Sequence, residues 1–286
     1  MIDDLSSQLA ERIAAKAKTS PCLMVGLCGS QGSGKSTLAL NLKTLLEQRG
    51  VTVAVISIDD LYLTRDERDS LSKCVHPLLQ TRGVPGTHDI ALGLSVLRAL
   101  REPGVVAIPS FDKSRDDRHP PAKWPMVHAP VQVILLEGWC VGAAPQEDAL
   151  LSTPVNPLER DRDADGTWRR HVNNSLAGEY QRPFAEIDLL VLLKAPDFDV
   201  VYEWRLEQEH KLRQQVMLEG GDLSRVMNDH EVKQFISHYE RLTRHILTEM
   251  PSRADVVVHL DSTRRPLSIS FRQKALMPPS SRSLDP

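Results

Sequence analysis

The stretch 25-VGLCGSQGSGKSTLALNL-42 passes from an apolar run, through a glycine-rich turn, into a helical pattern. Within it, GSQGSGKS fits G-x-x-x-x-G-K-[ST] through Gly29, Gly34, Lys35 and Ser36. A turn of this kind wraps backbone N–H groups around phosphate oxygens, and a Cβ at its glycines would hold the chain off the anion or forbid the turn. Gly29, Ser30, Gly32, Ser33 and Gly34 are the expected cradle. The helix that starts near Lys35 adds the free N–H groups of its first turn, which includes Ser36 and Thr37. Lys35 is placed to reach the β- and γ-phosphates, and the Ser36 hydroxyl to bind Mg²⁺.

The flanks supply the context that this turn requires. CLMVGLC reads as a buried strand, KSTLALNLKTLLEQRG puts Leu38, Leu42, Leu45 and Leu46 on one helical face and stops at Gly50, and VTVAVISID is β-branched and apolar again. Strand, helix and strand in that order make a βαβ unit and imply a parallel sheet covered by helices. The expected class is therefore α/β, a P-loop NTPase fold with a helical lid and surface insertions. Further strands are expected at 105–111, 131–137, 188–194 and 255–260, and helices at 5–17, 89–101, 198–219 and 229–249. Residues 112–130 and 144–172 are rich in proline and charge and read as surface excursions from the sheet. Residues 1–264 form one expected domain, and 265–286 a mobile tail.

Composition narrows the functional classes. The chain has 286 residues, 41% of them hydrophobic, with 35 Lys and Arg against 38 Asp and Glu and a net charge of −3. Nothing in that balance suggests a nucleic-acid partner. The apolar runs VQVILL and IDLLVLL fall far short of the roughly 18 to 20 residues of a membrane helix. The start, MIDDLSS, lacks the basic-then-apolar order of a secretion signal, so a cytoplasmic protein with no membrane partner is expected. The four cysteines form no CxxC pair, which argues against disulfides and zinc. Oligomeric state is not legible.

What is done with the phosphates is written elsewhere in the chain. A guanine-reading N-K-x-D segment is absent, which argues against a GTPase. The second strand ends in SIDDLY, so Asp59 and Asp60 emerge at a carboxyl edge of the sheet, where ligands of open α/β sheets bind. Phosphoryl transfer to an alcohol needs a carboxylate to orient the hydroxyl and take its proton. Asp59 is the expected base, with Asp60 as a second catalytic carboxylate. VILLEGW ends a buried strand on Glu137, and a carboxylate there is costly without a partner, which Mg²⁺ would supply.

Cations on the acceptor side are expected from SFDKSRDDRHP, through Lys113 and Arg118, and from TRGVPGTHD, through Arg82 and His88, with Thr87 capping the next helix. Tyr62, next to the carboxylate pair, is a further substrate-side residue. YEWRLEQEHKLR places Arg205, Lys211 and Arg213 on a helix in the position of a lid, with Arg205 and Arg213 facing the nucleotide and Lys211 at i, i+4 spacing from Glu207. The ten histidines make no HExxH, and neither G-x-S-x-G nor GxGxxG occurs.

With these residues in hand, the chain resembles P-loop kinases of the uridine kinase, phosphoribulokinase and pantothenate kinase superfamily, and within it the D-glycerate 3-kinase family. The resemblance runs over about residues 20–262. It is carried by GSQGSGKST, SIDDLYLT, RGVPGTHD, SFDKS followed by DR, VILLEGW, VYEWRLEQEHKLR and MNDHEVKQFISHYERL. It implies ATP-dependent, Mg²⁺-dependent phosphorylation of D-glycerate to 3-phosphoglycerate, with Asp59 as base, Glu137 as magnesium carboxylate, and Lys113 and Arg118 as substrate cations. Arg115, Asp116 and Asp117 stand where plant members have a longer loop containing glycine. The competing readings are a kinase of the pantothenate or nucleoside type, and a non-catalytic ATP-binding regulator.

Overall fold

The computed structural model describes residues 2–218 and 226–272. Its centre is strand β1 (Leu23–Gly29), buried at every position. With no polar face, such a strand belongs in the middle of a sheet covered on both sides. It pairs in parallel with β7 (Val133–Gly138) on one side and β8 (Leu189–Lys194) on the other. β2 (Val53–Ser57) adds in parallel to β7, and β9 (Val256–Leu260) to β8. An antiparallel edge strand, β10 (Pro266–Phe271), completes the order β10-β9-β8-β1-β7-β2. Register aligns Leu27 and Ser57 with Glu137, so β1, β2 and β7 end together along one edge.

Helices α1 (Ile2–Ala17) and α2 (Lys35–Glu47) pack on each other. α2 buries Leu38, Ala39, Leu42 and Leu46, three of them on the face read from the sequence. After β2 the chain makes a short 3₁₀ turn, Ile58–Leu61, and enters α3 (Arg65–Cys74), whose Thr64 and Glu67 form a capping box. No apolar period marks α3, which buries only Arg68. α4 (Ile90–Ala99) is capped by Asp89, whose Oδ1 accepts from Leu92 N at 2.9 Å. The expected cap, Thr87, is instead buried in the turn before it, where its hydroxyl donates to Val84 O.

The structure departs from the sequence reading in three places. Residues 105–111 do not join the main sheet: β3 (Gly104–Ala107) pairs with β6 (Met126–Ala129), and β4 (Phe111–Asp112) with β5 (Asp117–Arg118), as two small antiparallel ladders. Exposed Val105 shows why the apolar run misled: its side chains do not all face a core. Residues 266–271 form β10 rather than a tail, and the remainder of the expected tail, 273–286, lies outside the described residues.

The third departure is the segment 144–172, which holds α5 (Pro157–Arg162) and most of α6 (Thr167–Ala177). α7 (Gln181–Phe184) then leads into β8. The segment is anchored by an apolar cluster, in which Leu158 and Trp168 pack with Leu78, Leu79 and Val84, and by buried charge. Arg241, from α9 (Asp229–Glu249), gives Glu159 a two-pronged contact, Nε to Oε1 and Nη2 to Oε2, both at 2.7 Å. Its remaining N–H groups reach Leu150 O and Thr153 O. Arg169 and Asp163, also buried, pair at 2.9 Å. The long helices α8 (Phe198–Leu218) and α9 pack together beyond β8. No helix among the described residues is long and apolar enough to cross a membrane.

Breaking a buried ion pair by removing one partner strands the other charge. Arg241→Met is therefore expected to lower the unfolding free energy by about 3 to 5 kcal/mol. Urea unfolding of the variant beside the wild type measures it; a loss below about 1 kcal/mol would mean that Glu159 is not stranded.

Candidate active site

The P-loop has the backbone that its sequence requires. Gly32 and Gly34 have φ of 78° and 86°, and a Cβ on Gly32 would come within 2.7 Å of Trp204 Cβ on α8. Gly34 is the N-cap of α2 and offers no side-chain cap, so the first turn of that helix keeps its N–H groups for a ligand. The hydroxyls of Ser30 and Ser33 and Oε1 of Gln31 are buried without a hydrogen-bond partner. A loop with open helix N–H groups and unpaired buried hydroxyls fits an oxyanion ligand such as a polyphosphate.

Beside it, at the end of β7, Glu137 is nearly buried. Ser36 Oγ donates to its Oε1 at 2.8 Å, Lys35 Nζ lies 3.9 Å from Oε2, and Oε2 has no hydrogen-bond partner. A hydroxyl and a half-satisfied carboxylate fit a hard divalent cation. No group of three or more His, Cys, Asp or Glu suited to a metal occurs among the described residues. A cation held here would take its other ligands from water and bound phosphate, as Mg²⁺ characteristically does.

Asp59 stands across the same cavity. Tyr62 donates to its Oδ1 at 2.9 Å, and Lys113 Nζ donates to its Oδ2 at 3.0 Å. Burial opposes ionisation of Asp59, but the charges of Lys113 and Lys35 outweigh it and hold the carboxyl well below the usual range. Asp60 turns away: its Oδ1 accepts from Phe111 N at 3.0 Å, which ties the end of β2 to the β4–β5 hairpin, and burial raises its pKa.

The cavity between these groups has a volume of 340 Å³. Of the residues expected at the site, Gly32, Lys35, Ser36, Asp59, Tyr62, Arg82, Lys113, Glu137 and Arg205 line it. Arg82 is paired with Asp116, and Arg205 pairs with buried Glu209 at 2.6 Å. Trp139, Gln208, Phe235 and Tyr239 also line the cavity and were not singled out from sequence. Trp139 follows the carboxylate in EGW and donates from Nε1 to Gly83 O, while Tyr239 packs edge-on against Trp139 at 4.9 Å. Their signal was proximity to a motif for Trp139, and a buried face of α9 for Tyr239.

His88, Arg118 and Arg213 are not among the walls. Arg118 donates to Tyr62 O and Asp89 Oδ2, at 2.9 and 3.2 Å. His88 is buried, stacked on Tyr62 with ring centroids 4.6 Å apart. Both therefore brace Tyr62, which in turn holds Asp59. Arg213 donates to Met227 O and ties α8 to the chain entering α9, and Lys211 pairs with Glu207 as its spacing suggested.

Comparison with known proteins gives the chain's relatives. The family model described as methylmalonyl-CoA mutase-associated GTPase MeaB matches residues 3–62, which carry α1, the P-loop and β2. The Schizosaccharomyces pombe protein described as uncharacterized kinase mug58 is 37% identical over 227 residues, 76% of this chain and 78% of that protein. The chloroplastic D-glycerate 3-kinase of Arabidopsis thaliana is 32% identical over 265 residues, 86% of this chain; the match spans only 54% of the plant protein. The solved structure of a D-glycerate 3-kinase from Cryptococcus neoformans superposes with a TM-score of 0.76 at 25% identity, over 95% of this chain and 99% of that one.

The brace behind Asp59 carries a pH signature. Gly86 N donates to Tyr180 Oη, which lies 2.6 Å from His88 Nδ1. Burial lowers its pKa to about 4, against the attraction of Asp59. An unfolded chain binds that proton near 6.5, so the stability that neutral His88 contributes is complete above that pH and is lost as pH falls toward 4. Between pH 7 and pH 5 the loss is expected to be about 2 kcal/mol. Unfolding measured at both pH values should show a wild-type drop larger by that amount than in His88→Gln; equal drops would mean that His88 protonates freely in the folded state.

Proposed function

The chain belongs to the P-loop kinase family that holds the fission yeast kinase and the D-glycerate 3-kinases, and from that premise we propose that it transfers the γ-phosphate of ATP to the 3-hydroxyl of D-glycerate. The observation that supports this most is the single cavity in which a phosphate-binding loop faces a carboxylate base flanked by cations. A polyphosphate needs the first, a hydroxyl acceptor the second, and an acid the third.

In this reading the P-loop backbone, from Gly29 to Gly34, with the α2 N-terminus and Thr37, holds the ATP phosphates, and Lys35 lies along the β–γ bridge. Ser36 and Glu137 would hold Mg²⁺, which would supply charge neutralisation for the phosphates. Arg205 reaches the γ-phosphate from α8 and helps to exclude water, while Arg213 sets how α8 lies against α9. Arg82 and Lys113 take the acid carboxylate, and Asp59 orients the attacking hydroxyl and accepts its proton. Asp60 acts through the hairpin that it anchors, and His88 and Arg118 act through Tyr62. The fold thus spends three of its sequence-visible polar residues on holding the base rather than on touching the acceptor.

Two measurements test the reading. Asp59→Asn should keep Mg·ATP affinity within about twofold while kcat falls by about 10²- to 10⁴-fold. ADP release from the wild type should be stimulated by D-glycerate and not by L-glycerate, uridine or pantothenate. Stimulation by uridine or pantothenate alone would replace the acceptor, and an Asp59→Asn enzyme of undiminished turnover would remove the base.

A further inference from the structure

Both oxygens of the base already accept a hydrogen bond: Tyr62 donates to Oδ1 and Lys113 to Oδ2. Each oxygen keeps a lone pair for a hydroxyl, but the ammonium charge on Oδ2 opposes transfer of a proton to it. The two partners differ in their freedom to leave. Tyr62 is 3% exposed, stacked on His88 and set edge-on against Phe111, and Arg118 holds its carbonyl. Lys113 stands on the short β4–β5 turn with its side chain 61% exposed, and Asp59 is its one ion-pair partner among the described residues. The ammonium end of this pair is open to solvent, so a competing anion can approach Lys113 without disturbing the side chain of Asp59, which is 25% exposed.

We propose that Lys113 masks the catalytic base and that the carboxylate of the acceptor unmasks it. This rests on the reading of Asp59 as base and deepens it. When an acceptor anion takes Lys113, Oδ2 is released while Tyr62 keeps Oδ1, so one oxygen of fixed orientation turns toward the hydroxyl. The same movement removes the nearest positive charge from the carboxylate and restores its affinity for a proton. Asp59 and the acceptor carboxylate thus compete for one ammonium group, and the anion is a trigger as well as a handle. Discrimination against neutral alcohols follows in the rate, because a neutral alcohol leaves the ammonium on the carboxylate and its proton affinity low. So does restraint of ATP hydrolysis, because water cannot draw Lys113 away.

The anchoring of the turn suits a lysine that moves while its backbone does not. Asp116, with φ of 56°, bridges buried Arg68 and cavity-lining Arg82 from the turn that carries Lys113. Ser114 and Arg115 N–H groups both close onto Asp112. The backbone is thereby pinned on both sides of Lys113, and exchange needs only rotation of its side chain.

The test uses the full chain as wild type, Lys113→Met, Asp59→Asn and the double variant. In the first arm, Mg·ATP hydrolysis is followed without an acceptor. Lys113→Met should hydrolyse ATP at least about threefold faster than wild type, and acetate should accelerate the wild type but not the variant. Hydrolysis in Lys113→Met equal to or slower than wild type overturns the mask. In the second arm, D-glycerate binding is titrated by calorimetry. Asp59→Asn should bind it several-fold more tightly than wild type by freeing Lys113, and should make no difference in the Lys113→Met background. Equal tightening in both backgrounds means that Asp59 merely repels the anion, and overturns the exchange. The outcomes separate the two claims: faster hydrolysis in Lys113→Met with no D-glycerate binding keeps the mask and discards the acceptor. D-glycerate turnover with neither effect keeps the acceptor and discards the mask.

Discussion

A carboxylate at the end of a fully buried strand has to be matched. Glu137 closes β7, whose every position is buried, and it sits in register with the ends of β1 and β2. Its partners come from the next element after β1, through Ser36 and Lys35 on the first turn of α2. That requirement sets where the P-loop lies against the sheet, because α2 cannot shift without leaving Glu137 buried and unpaired. Oε2 faces Lys35 at 3.9 Å and keeps an acceptor site open for a ligand. That open site links the fold's stability to its chemistry.

Around this point the molecule balances charge locally. Each cation that reaches the cavity from the acceptor or lid side is already held by a carboxylate: Lys113 by Asp59, Arg82 by Asp116 and Arg205 by Glu209. Such pairing keeps several positive groups close together without mutual repulsion. It also means that an anionic ligand binds by exchange, entering pairs that already exist. Binding of that kind favours specificity over raw affinity, since only a ligand with charge in the right place repays the broken contacts.

The sequence made the phosphate side of this arrangement legible and the acceptor side only in part. The P-loop, β1, β2, β7 and β8 follow from apolar runs and a spaced motif, and α9 spans the expected 229–249. α3 was missed because RDERDSLSKC shows no apolar stripe: it is held by a capping box and by buried Arg68. The segment 144–172 read as solvated because its charges are abundant, whereas Asp163 and Arg169 are buried as a local pair and Glu159 is buried against Arg241, a partner from α9 that no local pattern reveals. His88 and Arg118 were rightly drawn to the neighbourhood of Asp59 and wrongly assigned to its surface. A residue that holds a wall has the same polar chemistry as one that forms it, and only packing separates them.

In the proposed reaction, a hydroxyl three atoms along from an anchored carboxylate meets the γ-phosphate beside Asp59. The position of the phosphate in the product tests this most directly. Uniformly ¹³C-labelled D-glycerate incubated with enzyme and Mg·ATP should give a product whose C3 alone shows the two-bond coupling to phosphorus. Coupling centred on C2 would mean that the acid lies in the cavity in another orientation, and an unlabelled phosphate peak with no coupled carbon would contradict phosphoryl transfer to this acceptor altogether.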